Sequence, residues 1–188
     1  MVGNCGSCDS VQLRPQAPIR VIGIGNESRS DDGVGLWIAR RLKAVSLPGA
    51  RIELETGDAA ALVASWAATD AVILMDAVNS GRCTSPGKIY RFNDSGQRIP
   101  DCFLSPSTHR LGLAGAMKLA RALDRLPRRF ILYGIEGFCF DFGFELTPPV
   151  KKAAARVIRM VIEDIFRFSG KEFIFADRRC YLSFLARK

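Results

Sequence analysis

The sequence predicts an α/β protein, specifically a single-domain three-layer α/β/α sandwich with a mostly parallel, mixed central sheet. Strand-like and helix-like segments alternate along the chain, as expected of parallel strands joined by crossover helices. The run Ala71–Met75 is continuously apolar, which is typical of a strand covered on both faces. The last helix carries an apolar stripe from Val150 to Ile165. Together these observations favour a sheet with helices on both of its faces.

The first strand–loop–helix unit is built around the stretch Ile22–Gly35. The residues before it, Ile19 to Ile22, are rich in β-branched side chains and predict a buried strand. An amphipathic helix is predicted from Asp32 to about Val45. Ser30 or Asp31 is well placed to cap this helix with its side chain. The unit therefore puts two adjacent carboxylates in the loop where open α/β sheets usually bind ligands.

The remaining elements follow from hydrophobic periodicity and from turn residues. Strands are predicted at Arg51–Thr56, at Ala71–Met75 with Asp76 at its end, at Lys88–Phe92 and at Phe130–Ile135. Helices are predicted at Ala59–Ala68, from His109 to about Asp124, and from Pro148 onward with Thr147 as the N-cap. The segment Lys88–Phe92 is polar enough to form an edge strand.

The composition is that of one globular domain, with 188 residues, 48% of them hydrophobic and 24% charged. The net charge of +8 is spread along the chain without a nucleic-acid motif, so no nucleic-acid partner is expected. Acidic residues interrupt the most apolar stretch, Ala59–Val78, so no membrane span is expected. Without a signal-peptide pattern, and with scattered cysteines that suit reduced thiols, the protein is expected to be cytoplasmic.

Three segments are expected along the chain. Residues 1–18 are predicted to be a flexible N-terminal tail and residues 19–168 the folded domain. Residues 169–188 are predicted to be a C-terminal extension of unassigned role. The pair Cys5 and Cys8 lies in the tail, where no further ligands for a zinc site are found nearby.

Three polar side chains fall at corresponding places in the predicted topology. Asp32 follows the first strand, Asp76 ends the third, and His109, the single histidine, begins a helix. Ligands bind outside the carboxyl ends of parallel strands, so these side chains could converge there. Two carboxylates and an imidazole suit a divalent metal such as nickel or zinc. Each residue also has a structural interpretation: Asp32 could complement a helix dipole, Asp76 could cap the next segment, and His109 could be purely structural.

A dinucleotide-binding site is an alternative interpretation of the first loop. Gly23-x-Gly25 is similar to the start of a dinucleotide fingerprint, and Glu55 could bind the ribose. However, Ser28 replaces the third glycine, and the two acids after it would repel a pyrophosphate.

The better match is to a family. Gly-x-Gly-Asn followed by Asp-Asp-Gly-x-Gly, within residues 23–35, resembles the opening motif of the hydrogenase maturation proteases. Further similar segments are Leu74–Ala77, Pro86–Ile89, Thr108–Leu113, Tyr133–Glu136 and Leu146–Val150. The resemblance extends over roughly Val21 to Ile165 and so identifies residues 19–168 as a domain of this type.

The resemblance implies an endopeptidase that removes the C-terminal extension of a [NiFe] hydrogenase large-subunit precursor. It implies that Asp32, Asp76 and His109 contact nickel that the precursor delivers, with the precursor's own thiolates as further ligands. The metal would position the scissile bond, or would activate water or polarise the carbonyl. An alternative is a maturation chaperone that binds nickel or the precursor through the same three residues without cleaving it.

Overall fold

The computed structural model describes residues 19–45, 47, 49–66, 69, 71–81, 85–93 and 110–170. The described strands are β1 (Ile19–Ile24), β2 (Ala50–Glu55), β3 (Ala71–Val78), β4 (Ile89–Asn93) and β5 (Arg129–Glu136). The described helices are α1 (Val34–Ala44), α2 (Ala59–Trp66), α3 (Arg110–Ala122) and α4 (Pro148–Phe168), and a 3-10 turn at Ser30–Gly33 precedes α1. The predicted tail, residues 1–18, lies outside the described residues, as do His109 and residues 171–188 of the predicted extension.

The described strands form one five-stranded sheet in the order β2-β1-β3-β5-β4. β1, β2, β3 and β5 are parallel, whereas β4 pairs antiparallel with β5 at one edge. The mixed, mostly parallel sheet and the edge position of Lys88–Phe92 are therefore confirmed. None of the helices in the described part of the chain is both long and apolar enough to cross a membrane.

Helices cover both faces of the sheet, which confirms the three-layer prediction. Alternate residues of each central strand face opposite layers, so that Ile73 and Met75 of β3 pack on one side and Val72 and Leu74 on the other. One core lies between the sheet and helices α1 and α4, and the other between the sheet and helices α2 and α3.

Helix α1 contacts the backbone of the sheet directly because glycines line the crossing. A Cβ atom on Gly35 would lie 2.2 Å from the carbonyl oxygen of Ile24 and 2.3 Å from that of Met75. A Cβ atom on Gly23 would lie 2.2 Å from the carbonyl oxygen of Gly35. Side chains at these positions would push α1 off the sheet. These glycines of the first motif thus serve close packing between helix and strands.

Two local predictions need correction. The helix predicted from Asp32 begins as a 3-10 turn and becomes α-helical only at Val34, and no side chain caps either segment. Neither Ser30 nor Asp31 is therefore a helix cap. Asp76 is not at the end of its strand, because β3 continues to Val78 through pairing with β5. Thr147 is the N-cap of α4 as predicted, although its side chain makes no capping bond.

A buried polar network joins the edge strand to the last helix. The guanidinium of Arg91 donates to Asp164 at 2.9 Å and to the hydroxyl of Tyr133 at 3.0 Å, and that hydroxyl donates to Asp164 at 2.5 Å. Asp164 is buried, so its charge needs these donors. Burial, followed by the hydrogen bond to the Asp164 carboxylate, raises the pKa of Tyr133 above its ordinary value.

Removing the Tyr133 hydroxyl should lower stability and should also change how stability depends on pH. We expect Tyr133→Phe to cost about 1–2 kcal/mol at neutral pH, because Asp164 loses one of its donors. Since the folded-state pKa of Tyr133 is raised, the unfolded chain loses this proton first, and the wild-type protein loses stability as pH rises above about 10. Urea denaturation of both proteins from pH 7 to 11 measures both effects. A difference between the two proteins that does not shrink above pH 10 would contradict this role of the proton.

Candidate functional site at the carboxyl edge of the sheet

Asp76 lies at the carboxyl edge of the sheet, two residues before the end of β3. It is 5% exposed, and its Oδ1 accepts a hydrogen bond of 2.8 Å from the backbone N–H of Ala77. The strand alternation puts its side chain on the same face as Val72, Leu74 and Val78, which is the face covered by α2 and α3. Its position inside the strand fixes this carboxylate more firmly than a strand-end loop would.

Asp32 lies in the 3-10 turn that follows β1, at the same edge. Its carbonyl oxygen lies 2.0 Å from where a Cβ atom on Gly25 would be, and Gly25 has a φ of +149°. Only glycine accommodates both that approach and that backbone conformation. The Oδ2 atom of Asp32 is buried. The turn that carries Asp32 packs against β3, so Asp32 and Asp76 both lie at the carboxyl edge of the sheet.

His109 lies outside the described residues, so its predicted place beside the two carboxylates stays a prediction. Helix α3, which it precedes in the sequence, begins at Arg110. Within the described ranges, no three histidine, cysteine, aspartate or glutamate side chains form a group that could hold a metal ion. The two carboxylates are thus the part of the predicted ligand set that can be located.

Asp31, the first of the paired acids, has a role that the sequence analysis missed. Its carboxylate is fully buried and accepts backbone N–H bonds from Phe138 at 2.9 Å, Cys139 at 3.0 Å and Thr147 at 2.7 Å. The hydroxyl of Thr147 donates to it as well, at 2.8 Å. A buried carboxylate requires such donors to offset the loss of its hydration. Asp31 therefore fastens the segment between β5 and α4 to the first turn.

Residues 137–147, here called the phenylalanine loop, also pair with the first turn through the backbone. The N–H of Gly143 donates to the carbonyl of Ser28 at 3.0 Å, and that of Ser30 donates to the carbonyl of Gly143 at 2.7 Å. The N–H of Asp31 donates to the carbonyl of Cys139 at 3.0 Å. The loop and the turn that carries Asp32 thus form one hydrogen-bonded unit.

Glu136, which ends β5, is a third buried carboxylate at this edge that the sequence analysis did not single out. It accepts hydrogen bonds from the N–H of Ser80 at 2.8 Å, from its hydroxyl at 2.9 Å and from the hydroxyl of Tyr90 at 3.2 Å. It holds the loop after β3 against β5 and β4. An acid directly after a buried strand was the available signal, because such a position is at the carboxyl edge.

The dinucleotide hypothesis finds little support in this geometry. The backbone N–H groups that would cradle a pyrophosphate donate within the protein, since those of Ser30, Asp31 and Asp32 bond the carbonyls of Gly143, Cys139 and Arg29. Glu55 and Gly25 do line one cleft of about 350 Å³. Burial, then the charges of Glu53 and Asp58, raise the pKa of Glu55, so added phosphate charge would be unfavourable there.

The sequence is similar to a known protein family and to individual members of it. The family model described as hydrogenase maturation protease matches residues 51–164. The chain is 28% identical over 162 residues to the hydrogenase expression/formation protein HupD of Thiocapsa roseopersicina, covering 83% of this chain and 71% of that protein. It is also 28% identical over 159 residues to the hydrogenase 2 maturation protease of Escherichia coli K12, covering 83% and 94%.

Solved structures agree with the sequence comparisons. The hydrogenase maturating endopeptidase HybD from Escherichia coli is similar with a TM-score of 0.68 and 26% identity, over 81% of this chain and 94% of that one. The solution structure of an endopeptidase from Escherichia coli gives a TM-score of 0.71 and 27% identity, over 82% and 95%.

Removing the Asp31 carboxylate should release the phenylalanine loop. Asp31→Ala leaves the amides of Phe138, Cys139 and Thr147 without their acceptor, so we expect a loss of roughly 3 kcal/mol in the free energy of unfolding. Thr147→Val is the matched control, because it removes only the hydroxyl donor and should cost about 1 kcal/mol. Urea denaturation gives both values, and hydrogen exchange at Phe138 and Cys139 should accelerate in Asp31→Ala alone. Equal losses in the two variants would show that Asp31 does not fasten the loop.

Proposed function

The chain belongs to the hydrogenase maturation protease family, a family of peptide hydrolases, and from that premise we propose its specific reaction. It removes the C-terminal extension from the large-subunit precursor of a [NiFe] hydrogenase, and it acts on the precursor that already carries nickel. Asp32, Asp76 and His109 contact that nickel and thereby orient the scissile peptide bond.

The proposal rests chiefly on two carboxylates at the carboxyl edge of the sheet. Asp76 is buried within β3, and the turn that carries Asp32 is fixed against Gly25. Groups held this firmly lose little freedom when they bind a substrate, which favours precise positioning of a reacting bond. Carboxylate oxygens together with an imidazole are also suitable ligands for a divalent metal of intermediate softness.

The nickel belongs to the substrate in this proposal. Two carboxylates and an imidazole form an open three-ligand set, whereas structural metal sites usually close with four protein ligands. Thiolates of the precursor would supply the remaining, softer ligands. A precursor without nickel would lack the contact that positions it and would stay uncut, so the same residues would check that the metal has been inserted.

Substitution of the three residues should abolish processing without unfolding the domain. We expect Asp32→Asn, Asp76→Asn and His109→Ala each to slow cleavage of the nickel-loaded precursor roughly 100-fold or more, because positioning is lost. Asp124→Asn is the control. Asp124 lies between the end of α3 and the start of β5, and therefore near the amino ends of the parallel strands, away from the candidate site. Mass spectrometry of the precursor C-terminus measures cleavage, and thermal denaturation verifies folding. Normal processing by a folded His109→Ala variant would make His109 structural. A wild-type protein that binds the precursor but leaves it intact would indicate the chaperone alternative.

The purified protein should contain little nickel, and cleavage should require nickel on the precursor. The reason is that the three proposed ligands alone bind the metal weakly, while the precursor's thiolates bind it strongly. Metal analysis of the free protein and cleavage assays with nickel-loaded and nickel-free precursor test this directly. Stoichiometric nickel in the free protein, together with efficient cutting of nickel-free precursor, would instead indicate an ordinary metalloprotease.

A further inference from the structure

The phenylalanine loop exposes aromatic side chains beside the candidate site. Phenylalanines occupy every second position from 138 to 144. Phe140 packs towards the core formed with α1 and α4. The other rings are 60% exposed at Phe138, 82% at Phe142 and 71% at Phe144. Exposed aromatic side chains grouped in this way typically mark an interaction surface.

The rings are presented by a backbone that is held in place along its length. Besides the bonds to Asp31 and the backbone pairing at Gly143, the side chain of Arg29 donates to the carbonyl of Phe140 at 3.1 Å. The hydroxyl of Ser30 donates to the carbonyl of Asp141 at 3.2 Å. The rings of Phe142 and Phe144 pack edge to face, with centroids 5.6 Å apart. A preorganised aromatic surface loses little conformational entropy when a partner binds.

The charge of the loop is opposite to that of the chain as a whole. Residues 137–147 contain Asp141 and Glu145 and no lysine or arginine, whereas the chain carries a net charge of +8. Both acidic residues are exposed. An apolar surface flanked by negative charge is complementary to an apolar segment that carries lysine or arginine.

The loop is also continuous with the candidate site. The amides of Phe138 and Cys139 bond the carboxylate of Asp31, and Asp32 is the next residue. A protein substrate whose scissile bond lies at Asp32 must therefore pass close to the phenylalanine loop.

We propose that the phenylalanine loop is a docking surface for an apolar, positively charged segment of the hydrogenase large-subunit precursor. This inference rests on the proposed function. The rings of Phe142 and Phe144 take up the apolar side chains of the segment, and Asp141 and Glu145 attract its basic ones. The loop supplies affinity for the precursor, while the carboxyl edge supplies the chemistry.

The test compares two double variants with matched controls in the full-length chain. Phe142→Ser with Phe144→Ser removes the apolar surface, and Asp141→Asn with Glu145→Gln removes its charge. The apolar control is Leu123→Ser with Leu126→Ser, because these side chains are also exposed, at 49% and 41%, but lie beyond α3. The charge control is Asp124→Asn. The dissociation constant for the nickel-loaded precursor and the KM and kcat of cleavage are measured separately.

We expect the phenylalanine double variant to raise the dissociation constant and KM roughly 10- to 100-fold, with kcat changed by less than about twofold. The charge double variant should raise both about three- to tenfold at low salt, and this effect should shrink at high salt. The controls should behave as wild type. Because the ring side chains make none of the bonds that hold the loop, thermal denaturation should show folded variants.

Unchanged affinity and KM in a folded phenylalanine double variant would overturn the inference, even if the wild type cleaves the precursor normally. It would also be overturned if sedimentation showed a dimer that this variant disrupts while precursor affinity stays unchanged, since the rings would then serve self-association. If the wild type binds the precursor without cutting it, the proposed function fails, whereas weaker binding by the variant still supports docking. A wild type that does not bind the precursor would overturn both.

Discussion

The buried carboxylate of Asp31 is the interaction on which the functional edge of this molecule depends. Burying a charge is expensive unless donors replace the lost water, and here those donors are the amides of Phe138, Cys139 and Thr147. They belong to a segment more than a hundred residues away in the sequence. The carboxylate can therefore be buried only once the loop between β5 and α4 has formed, and that loop has its acceptor only once α1 lies on the sheet.

The second constraint is the contact between α1 and the sheet backbone. Gly23 and Gly35 bring the helix so close that its first turn touches the carbonyls of Ile24 and Met75. Met75 directly precedes Asp76. The contact of α1 with Met75 therefore also determines where the first turn of α1 lies relative to the carboxylate of Asp76. The glycines of the opening motif thus support the site through packing, whereas in a dinucleotide-binding loop they would leave room for a phosphate.

Most of the fold could be predicted from the sequence because its signals are local. The apolar run of β3 and the stripe along α4 follow from burial and periodicity alone. The functions of the two adjacent acids could not be separated in that way, because they depend on residues 138–147, which are distant in the chain. The extension of β3 past Asp76 likewise depends on pairing with β5, which no local pattern reports. The alternating phenylalanines were visible in the sequence, but the exposure of three rings and the partial burial of the fourth follow from the loop's bonds to the first turn.

The division of roles between Asp31 and Asp32 gives the candidate site its rigidity. Consecutive Cα atoms are held about 3.8 Å apart by a planar peptide, so fastening Asp31 restricts where Asp32 can be. The carboxylate that restricts Asp32 also fastens the loop that exposes Phe142 and Phe144. In our proposals, Asp32 contacts nickel and the phenylalanine loop docks the precursor. Both are consequently held in a fixed relative position by Asp31. A precursor bound to the loop would then reach Asp32 at a fixed distance, so binding energy gained at the aromatic rings could be used to orient the scissile bond.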